Sequence, residues 1–351
     1  VLKKYSEGMD KMKLMRTEDA VGQVLCHDIT QIIKGVTKDA VFRKGHIITE
    51  EDIPVLLSVG KDHIYIWENN ENMLHENDAA KILYDMCANK HMTPSEIKEG
   101  KIELIAECDG LLKVDTERLN AVNALGEMMI ACRHGNFPVK KGDKIAGTRI
   151  IPLVIEKEKM ERAKKAAGEK PIFELIPFKK MKAAIVNTGN EVFYGRIKDT
   201  FTPVIIEKLK EYGAEVVGHV VSDDNHEHIT AAIQKFLDEG VDMVLCTGGM
   251  SVDPDDRTPL AIKNTGAEIV TYGAPVLPGA MFLLSYYGEK KRPVIGLPGC
   301  VMYAKRTIFD LVLPRIVAGE ILKKADIDTL GEGGLCLNCP VCTFPNCGFG
   351  K

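Results

Sequence analysis

From Ala183 onward the chain alternates short apolar runs with amphipathic helical stretches, and that rhythm constrains the fold more than any other feature. Ala183-Ala184-Ile185-Val186 reads as a buried-type strand. Thr202-Pro203 opens a helix, with Thr suited to the cap and Pro to the first turn. The helix runs to Tyr212, and Gly213 stands where a C-terminal glycine belongs. A second strand covers Glu215 to Val221. Asn225 caps the next helix, which runs through Ile229, Ile233 and Leu237 to Gly240, and Val241 to Cys246 forms a third strand. Later strands are expected over Ala267 to Thr271 and Pro293 to Leu297, with a last helix from about Cys300 to Ala318. Near-continuous apolar strands separated by helices require a sheet covered on both faces. The expectation is an α/β fold with a three-layer, open, mainly parallel sheet.

The rest of the chain differs. Val21 to Leu25 and His63 to Trp67 read as short strands, with a capped short helix over Thr49 to Leu57 between them. Glu76 to Asn89 reads as an amphipathic helix with Ala80, Leu83, Tyr84 and Cys87 on one face. Residues 1–155 are expected to form a smaller, β-rich α+β region of unassigned role. Residues 156–179 are densely charged, with Pro171 inside, and read as a solvated helix ending in a linker. The α/β domain then spans 180–320, and a Cys-rich tail spans 321–351. With 46 Lys plus Arg against 50 Asp plus Glu, the formal charge of −4 argues against a broad nucleic-acid surface. No apolar run approaches the ~20 residues that span a bilayer, and Val1-Leu2-Lys3-Lys4-Tyr5 lacks a signal-type stretch. A cytoplasmic protein without a membrane partner is expected.

In an open parallel sheet, ligands bind beyond the carboxyl ends of the strands. Four segments fall there. Asn187-Thr188-Gly189-Asn190-Glu191 follows the first strand, with Asp199 before the helix. Ser222-Asp223-Asp224-Asn225 follows the second. Thr247-Gly248-Gly249-Met250-Ser251 follows the third and leads to Asp253-Pro254-Asp255-Asp256. Leu297-Pro298-Gly299 precedes the last helix. Two glycines and a hydroxyl can cradle an anionic oxygen. Carboxylates beside a phosphate repel it unless a divalent cation binds both. Neither G-x-G-x-x-G nor a Walker A sequence is present, which weighs against dinucleotide-fold and P-loop readings.

The ordered set Thr188-Gly189-Asn190-Glu191, Asp223-Asp224, Gly248-Gly249-Met250-Ser251 with Asp256, Pro278-Gly279 and Leu297-Pro298-Gly299 resembles the molybdopterin-binding domain family over about residues 180–320. That family includes molybdopterin molybdotransferases, molybdopterin adenylyltransferases and gephyrin, and the resemblance is closest to the molybdotransferase branch. It implies molybdenum cofactor biosynthesis: binding of molybdopterin in its adenylylated form, and insertion of molybdate with Mg²⁺ and release of AMP. It also implies residue roles. Glu191, Asp224 and Asp256 are the acidic functional residues, with Asp224 and Asp256 as metal ligands. Thr188, Gly189, Thr247, Gly248, Gly249, Ser251, Pro278, Gly279, Pro298 and Gly299 hold the pterin. The family tends to self-associate, so a homo-oligomer is expected. Departures accompany the match. Asp253 stands in place of a loop glycine, Cys300-Val301 replaces Asn-Pro, residues 1–180 carry no clear copy of the family's opening domain motif, and too little chain follows residue 320 for its usual last domain. These support an alternative reading, a non-catalytic molybdopterin carrier or sensor that delivers cofactor to a molybdoenzyme or another biosynthesis protein. A third reading is a nucleotide hydrolase on the same fold, as in the competence-damage-inducible family.

Six of the ten cysteines are scattered, and four lie together near the end: Cys336, Cys339, Cys342 and Cys347, spaced C-x2-C-x2-C-x4-C. Two-residue spacing lets the backbone wrap a shared metal. The segment is too small for a core of its own, so a metal is expected to organise it. Three evenly spaced cysteines favour an iron–sulfur cluster, with Zn²⁺ as the alternative.

Overall fold

The structure, a computed structural model, describes residues 13–33, 37–66, 72–251, 253–254 and 256–351. Trp67, Asp255 and the N-terminal pentapeptide lie outside the described residues. The described residues form two compact units: those within 1–107, 114–133 and 142–174 the first, and those within 108–113, 134–141 and 175–351 the second.

The first unit is β-rich α+β. Lys13–Arg16 pairs antiparallel with His63–Ile66, and Ile29–Ile33 pairs with Thr37–Phe42. A small core of Leu25, Ile29, Ile48, Leu56 and Ile64 holds them with the helix Asp52–Ser58. The strand expected over Val21 to Leu25 is reduced to two isolated bridges, Val24 to Ile47 and Leu25 to Ile66, because the segment opens in a turn at Val21-Gly22 and bonds only briefly to residues 46–48. A four-stranded antiparallel sheet of Met92–Pro94, Lys101–Ala106, Lys144–Ile150 and Met128–Cys132 completes the unit with the helix Glu76–Cys87. The charged run beyond residue 156 forms a helix, Lys157–Ala167, but it is not a solvated linker. Met160, Ala163 and Ala167 recur at helical spacing and are fully buried, so it is a packed element of the first unit.

In the second unit β1 (Lys182–Thr188), β2 (Glu215–Ser222), β3 (Met243–Thr247), β4 (Glu268–Tyr272), β5 (Leu283–Tyr287) and β6 (Arg292–Leu297) form one sheet in the order β2-β1-β3-β6-β5-β4. Four neighbours are parallel, β5 runs opposite to both of its partners, and β4 therefore points the same way as β6. The sequence reading omitted β5. The longer helices are α1 (Phe201–Lys210), α2 (His226–Asp238), α3 (Thr258–Asn264) and α4 (Ile308–Ala318), with short ones at Asn190–Phe193 and Lys324–Asp328.

The period of two along β1 explains the layering. Ala183 and Ile185 join Leu245, Ile295, Leu209 of α1 and Phe309 of α4 on one face. Ala184 and Val186 join Val244, Cys246, Ile233 of α2 and Ile262 of α3 on the other. The first face also buries an ion pair. Lys208 of α1 donates to both oxygens of Asp310 at 2.7 and 2.9 Å, and Arg306 and the Thr307 N–H donate to the same carboxylate. The last helix begins at Ile308 rather than near Cys300. Gly299–Met302 is a single 3-10 turn, and Thr307 supplies the cap, its hydroxyl accepting from the Phe309 N–H.

Candidate functional site

The sheet order reverses at β1, which lies between β2 and β3, and the loops after these strands diverge there to opposite faces. Thr188 ends β1 and is 3% exposed. Its hydroxyl donates to the Thr247 carbonyl at 3.1 Å and meets the Thr258 hydroxyl at 3.1 Å. Gly248 follows β3 at φ +84°, and a Cβ there would stand 2.1 Å from the Thr188 carbonyl oxygen. The chain turns this tightly only because residue 248 has no side chain. Gly249, at φ +53°, similarly brings its backbone close to the Thr258 hydroxyl, and its carbonyl accepts from the Thr258 N–H at 3.2 Å. Beneath them, Thr247 donates to Oδ1 of Asn187 at 2.9 Å. Asn187 is 1% exposed, and its side-chain amide helps to hold the Asp199 carboxyl below its ordinary value.

The acidic residues stand on the loops of this edge. Glu191 is exposed in the short helix Asn190–Phe193, beside Gly189. Asp224 is half-buried and ties the loop after β2 to the loop after β1, accepting from the Asn190 N–H at 2.9 Å. Asp256 is half-buried just before α3, and Ser251 is exposed. Among the described residues, no group of three or more His, Cys, Asp or Glu side chains is assembled as a metal-holding set.

Pro278 and Gly279 lie in the loop between β4 and β5. Since β4 runs parallel to β6, this loop rises at the same edge. Gly279 has a packing reason to be glycine: at φ +136°, a Cβ would stand 2.4 Å from Cγ2 of Ile308, at the start of α4. Pro298 is buried and Gly299 exposed after β6. Cys300 beside them is half-buried, and burial pushes its thiol up.

Other neighbours complete this edge, of which Tyr272 and His219 carry no sequence signal. Tyr272, at the end of β4, donates to the Met250 carbonyl at 2.8 Å and so props the Gly248–Ser251 loop. Burial and the Asp256 charge push its hydroxyl up. Asp199 accepts from the N–H groups of Phe201 and Thr202 and from the Thr202 hydroxyl, with His219 of β2 at 3.3 Å. Burial raises the Asp199 carboxyl, but these bonds outweigh it and hold it below its ordinary value. Of the two histidines after Asn225, His228 pairs with Asp223 at 3.0 Å, and the buried Nδ1 of His226 has no hydrogen-bond partner among the described residues. His219 has no motif around it, and only the β1–β2 register shows that it faces α1.

The tail is not organised in the way expected. Phe349 is 4% exposed inside the main core, and Phe344 packs between Phe137 and Phe349, with the Arg306 guanidinium over its ring. Leu335 bridges Leu277, and the Cys336 N–H donates to the Leu277 carbonyl at 2.8 Å. Apolar anchoring therefore does the work assigned to a metal. Cys336 and Cys347 are half-buried against this core, whereas Cys339 and Cys342 are exposed.

Residues 184–318 match the model of a family described as a probable molybdopterin binding domain, so over that segment the resemblance carried by the loop motifs holds. Residues 14–68 match a domain of unknown function. A molybdopterin molybdenumtransferase of Synechococcus elongatus is 28% identical over 163 residues, covering 44% of this chain and 38% of that protein. A CinA-like protein of Mycobacterium avium is 34% identical over 90 residues, 25% of this chain and 21% of the relative. A solved structure of the molybdopterin biosynthesis enzyme MoaB from Thermus thermophilus aligns with 41% of this chain and 99% of its own, at 23% identity and a TM-score of 0.33. The chain thus spans well under half the length of these two curated relatives. Among the described residues, no helix is long and apolar enough to cross a membrane.

Proposed function

We propose that the second unit binds molybdopterin in its adenylylated form and inserts molybdate, releasing AMP, as a molybdotransferase does. The observation that carries this reading is the convergence of the β1 and β3 ends at Thr188 and Gly248, where backbone and three threonine hydroxyls stand beside loops bearing Glu191, Asp224 and Asp256. A phosphate beside these carboxylates needs a cation. Mg²⁺ is ordinarily held by one or two carboxylates together with substrate phosphate oxygens, so Asp224 and Asp256 fit it without a protein cage of three ligands. When bound, it neutralises the charge on the phosphoanhydride. The Gly248–Ser251 backbone, propped by Tyr272, holds the pterin phosphate. Thr188 and Thr247 fix the two strand ends so that the loops keep their spacing. Glu191, exposed at the mouth, handles the incoming molybdate. Cleaving a phosphoanhydride needs positioning and charge neutralisation more than a covalent nucleophile, and this site offers the former.

The departures at Asp253 and at Cys300-Val301 favour one second reading, a molybdopterin carrier or sensor. One experiment separates them. The purified chain is incubated with adenylylated molybdopterin and Mg²⁺, with and without molybdate, and AMP is quantified. Molybdate-dependent AMP release, lost about 100-fold in Glu191→Gln and Asp256→Asn, supports the transferase. Tight pterin binding without AMP release supports the carrier. Failure to bind any molybdopterin species overturns both, and turnover of a dinucleotide such as ADP-ribose without pterin would transfer the site to the nucleotide hydrolases.

A further inference from the structure

The four tail cysteines fall outside every role given to the sheet edge, yet the fold prepares them for one. The segment that carries them is a closed loop. The Gly350 N–H donates to the Gly333 carbonyl at 2.9 Å, and a Cβ on Gly333 would meet the Lys351 carbonyl at 2.1 Å, so the two ends touch. Cys336 lies three residues inside one end and Cys347 three residues inside the other. Both are half-buried against the same core cluster, near the closed ends of the loop, and the four thiols are not assembled as a metal-holding group until the exposed turn moves. Cys339 and Cys342 stand on the exposed turn between them, at two-residue spacing from Cys336 and from each other. The arc is steadied at its middle, where the Lys305 ammonium donates to the Cys339 and Pro340 carbonyls at 3.2 and 2.7 Å. No helix or strand occupies residues 337–351, and Asn338 sits at φ +49°. Leu337 and Val341, each next to or between cysteines, are 79% and 76% exposed, apolar surface with nothing yet to cover.

We propose that this loop closes on one thiophilic metal centre ligated by Cys336, Cys339, Cys342 and Cys347. Cys336 and Cys347 form the seat at the neck, and Cys339 and Cys342 turn inward to complete four thiolates, carrying Leu337 and Val341 over the centre as a water-excluding cover. Binding a metal through thiols releases their protons and forms metal–sulfur bonds, with no oxidant required. Because Phe344, Phe349 and the Gly333–Gly350 closure already hold the loop, its ordering cost is met by the fold before metal arrives, and the domain does not depend on the metal to stay folded. The centre stands at the sheet edge of the candidate ligand loops, since Cys336 is bonded to Leu277, immediately before Pro278. The inference is independent of which reaction that edge performs.

The test uses the full chain, purified without oxygen. Metals are measured by plasma mass spectrometry, acid-labile sulfide by assay, clusters by visible absorption, and free thiols by titration without denaturant. One metal centre per chain is expected. A colourless protein with equimolar zinc identifies a zinc site. Iron with equivalent sulfide and broad visible absorption identifies an iron–sulfur cluster. In Cys339→Ser/Cys342→Ser the metal is lost, while circular dichroism keeps the wild-type signature and the chain still melts cooperatively, somewhat below the metal-loaded wild type, as apolar anchoring together with native-state binding requires. In Cys26→Ser, a buried cysteine of the first unit, the metal is retained. The proposal is overturned if the wild-type chain carries no stoichiometric metal and takes up no Zn²⁺ added under reducing conditions, or if the double variant keeps the metal.

Discussion

Gly248 and Gly240 offer a controlled test of how the site is built. Both lie in the second unit, and both have left-handed backbone at nearly the same angle, φ +84° and +83°. They differ in surroundings. A Cβ on Gly240 meets nothing within 4 Å, whereas one on Gly248 would stand 2.1 Å from the Thr188 carbonyl oxygen and 2.8 Å from its hydroxyl. Alanine at either position carries the backbone penalty of an L-residue in this region, about 1–2 kcal/mol. Only Gly248→Ala adds a clash, and the obstructing atom is backbone that cannot rotate aside. Overpacking of this kind costs about 1–3 kcal/mol more. For a unit of this size, Tm falls by roughly 2–4 °C per kcal/mol, so the two variants should separate clearly in thermal melts followed by circular dichroism. Urea titration gives the same ordering as free energies. Hydrogen exchange on peptides covering β1 and β3 should show faster exchange in Gly248→Ala and not in Gly240→Ala. Equal destabilisation of the two variants, or a Gly248→Ala chain as stable as wild type, would refute the claim that residue 248 is glycine to let the β3 turn approach Thr188.

Three further outcomes are expected. Asp310→Ala leaves the buried Lys208 ammonium without its carboxylate and should cost about 3–5 kcal/mol in urea unfolding; a loss below about 1 kcal/mol would show that the Lys208–Asp310 pair is not the organising contact between α1 and α4. Phe349→Ala removes an aromatic ring from the core and should cost about 3–5 kcal/mol, detaching the tail as judged by fast exchange at residues 333–351; an unchanged melting temperature would contradict the apolar anchoring. In the first unit, burial pushes the Glu76 carboxyl up to about 7 from 4.5. The fold favours its protonated form, so this contribution is fully present below the unfolded value of 4.5 and is lost as pH rises through about 7. Glu76→Gln should therefore gain on the order of 2–3 kcal/mol relative to wild type on going from pH 4.5 to about pH 8, and a parallel pH profile for the two proteins would count against it.

What the residues disclosed, and what they withheld, divides along a physical line. Helices and parallel strands of the second unit were legible because each is specified by its own apolar period, as with Ala183 and Ile185 facing one layer and Ala184 and Val186 the other. The strand Leu283–Tyr287 was missed for lack of such a signal. An apolar run gives no direction, and its antiparallel sense is fixed only by pairing with both neighbours. The same limit governs the site. The Gly248–Gly249 loop was visible because two glycines after a strand advertise an unusual turn. Thr258, Tyr272 and His219 were not, because each acts through partners away from it in sequence, among them a hydroxyl on Thr188, a carbonyl on Met250 and a pairing with Asp199. Gly279 has a second reason to be glycine that the sequence did not disclose. Its Pro-Gly context suggested a ligand loop, yet Ile308 alone is reason enough for a residue without a side chain. The tail combines both cases. Its cysteine spacing is a local signal and was read at once, whereas its anchoring depends on Phe349 reaching a core whose members lie as far away as Phe137. A metal was therefore credited with holding the segment in place when the aromatic residues already do. With that structural duty removed, Cys336 and Cys347 still pack against the core while Cys339 and Cys342 stand exposed, so the metal measurement on the Cys339/Cys342 pair is the one that separates a ligand role from a packing role.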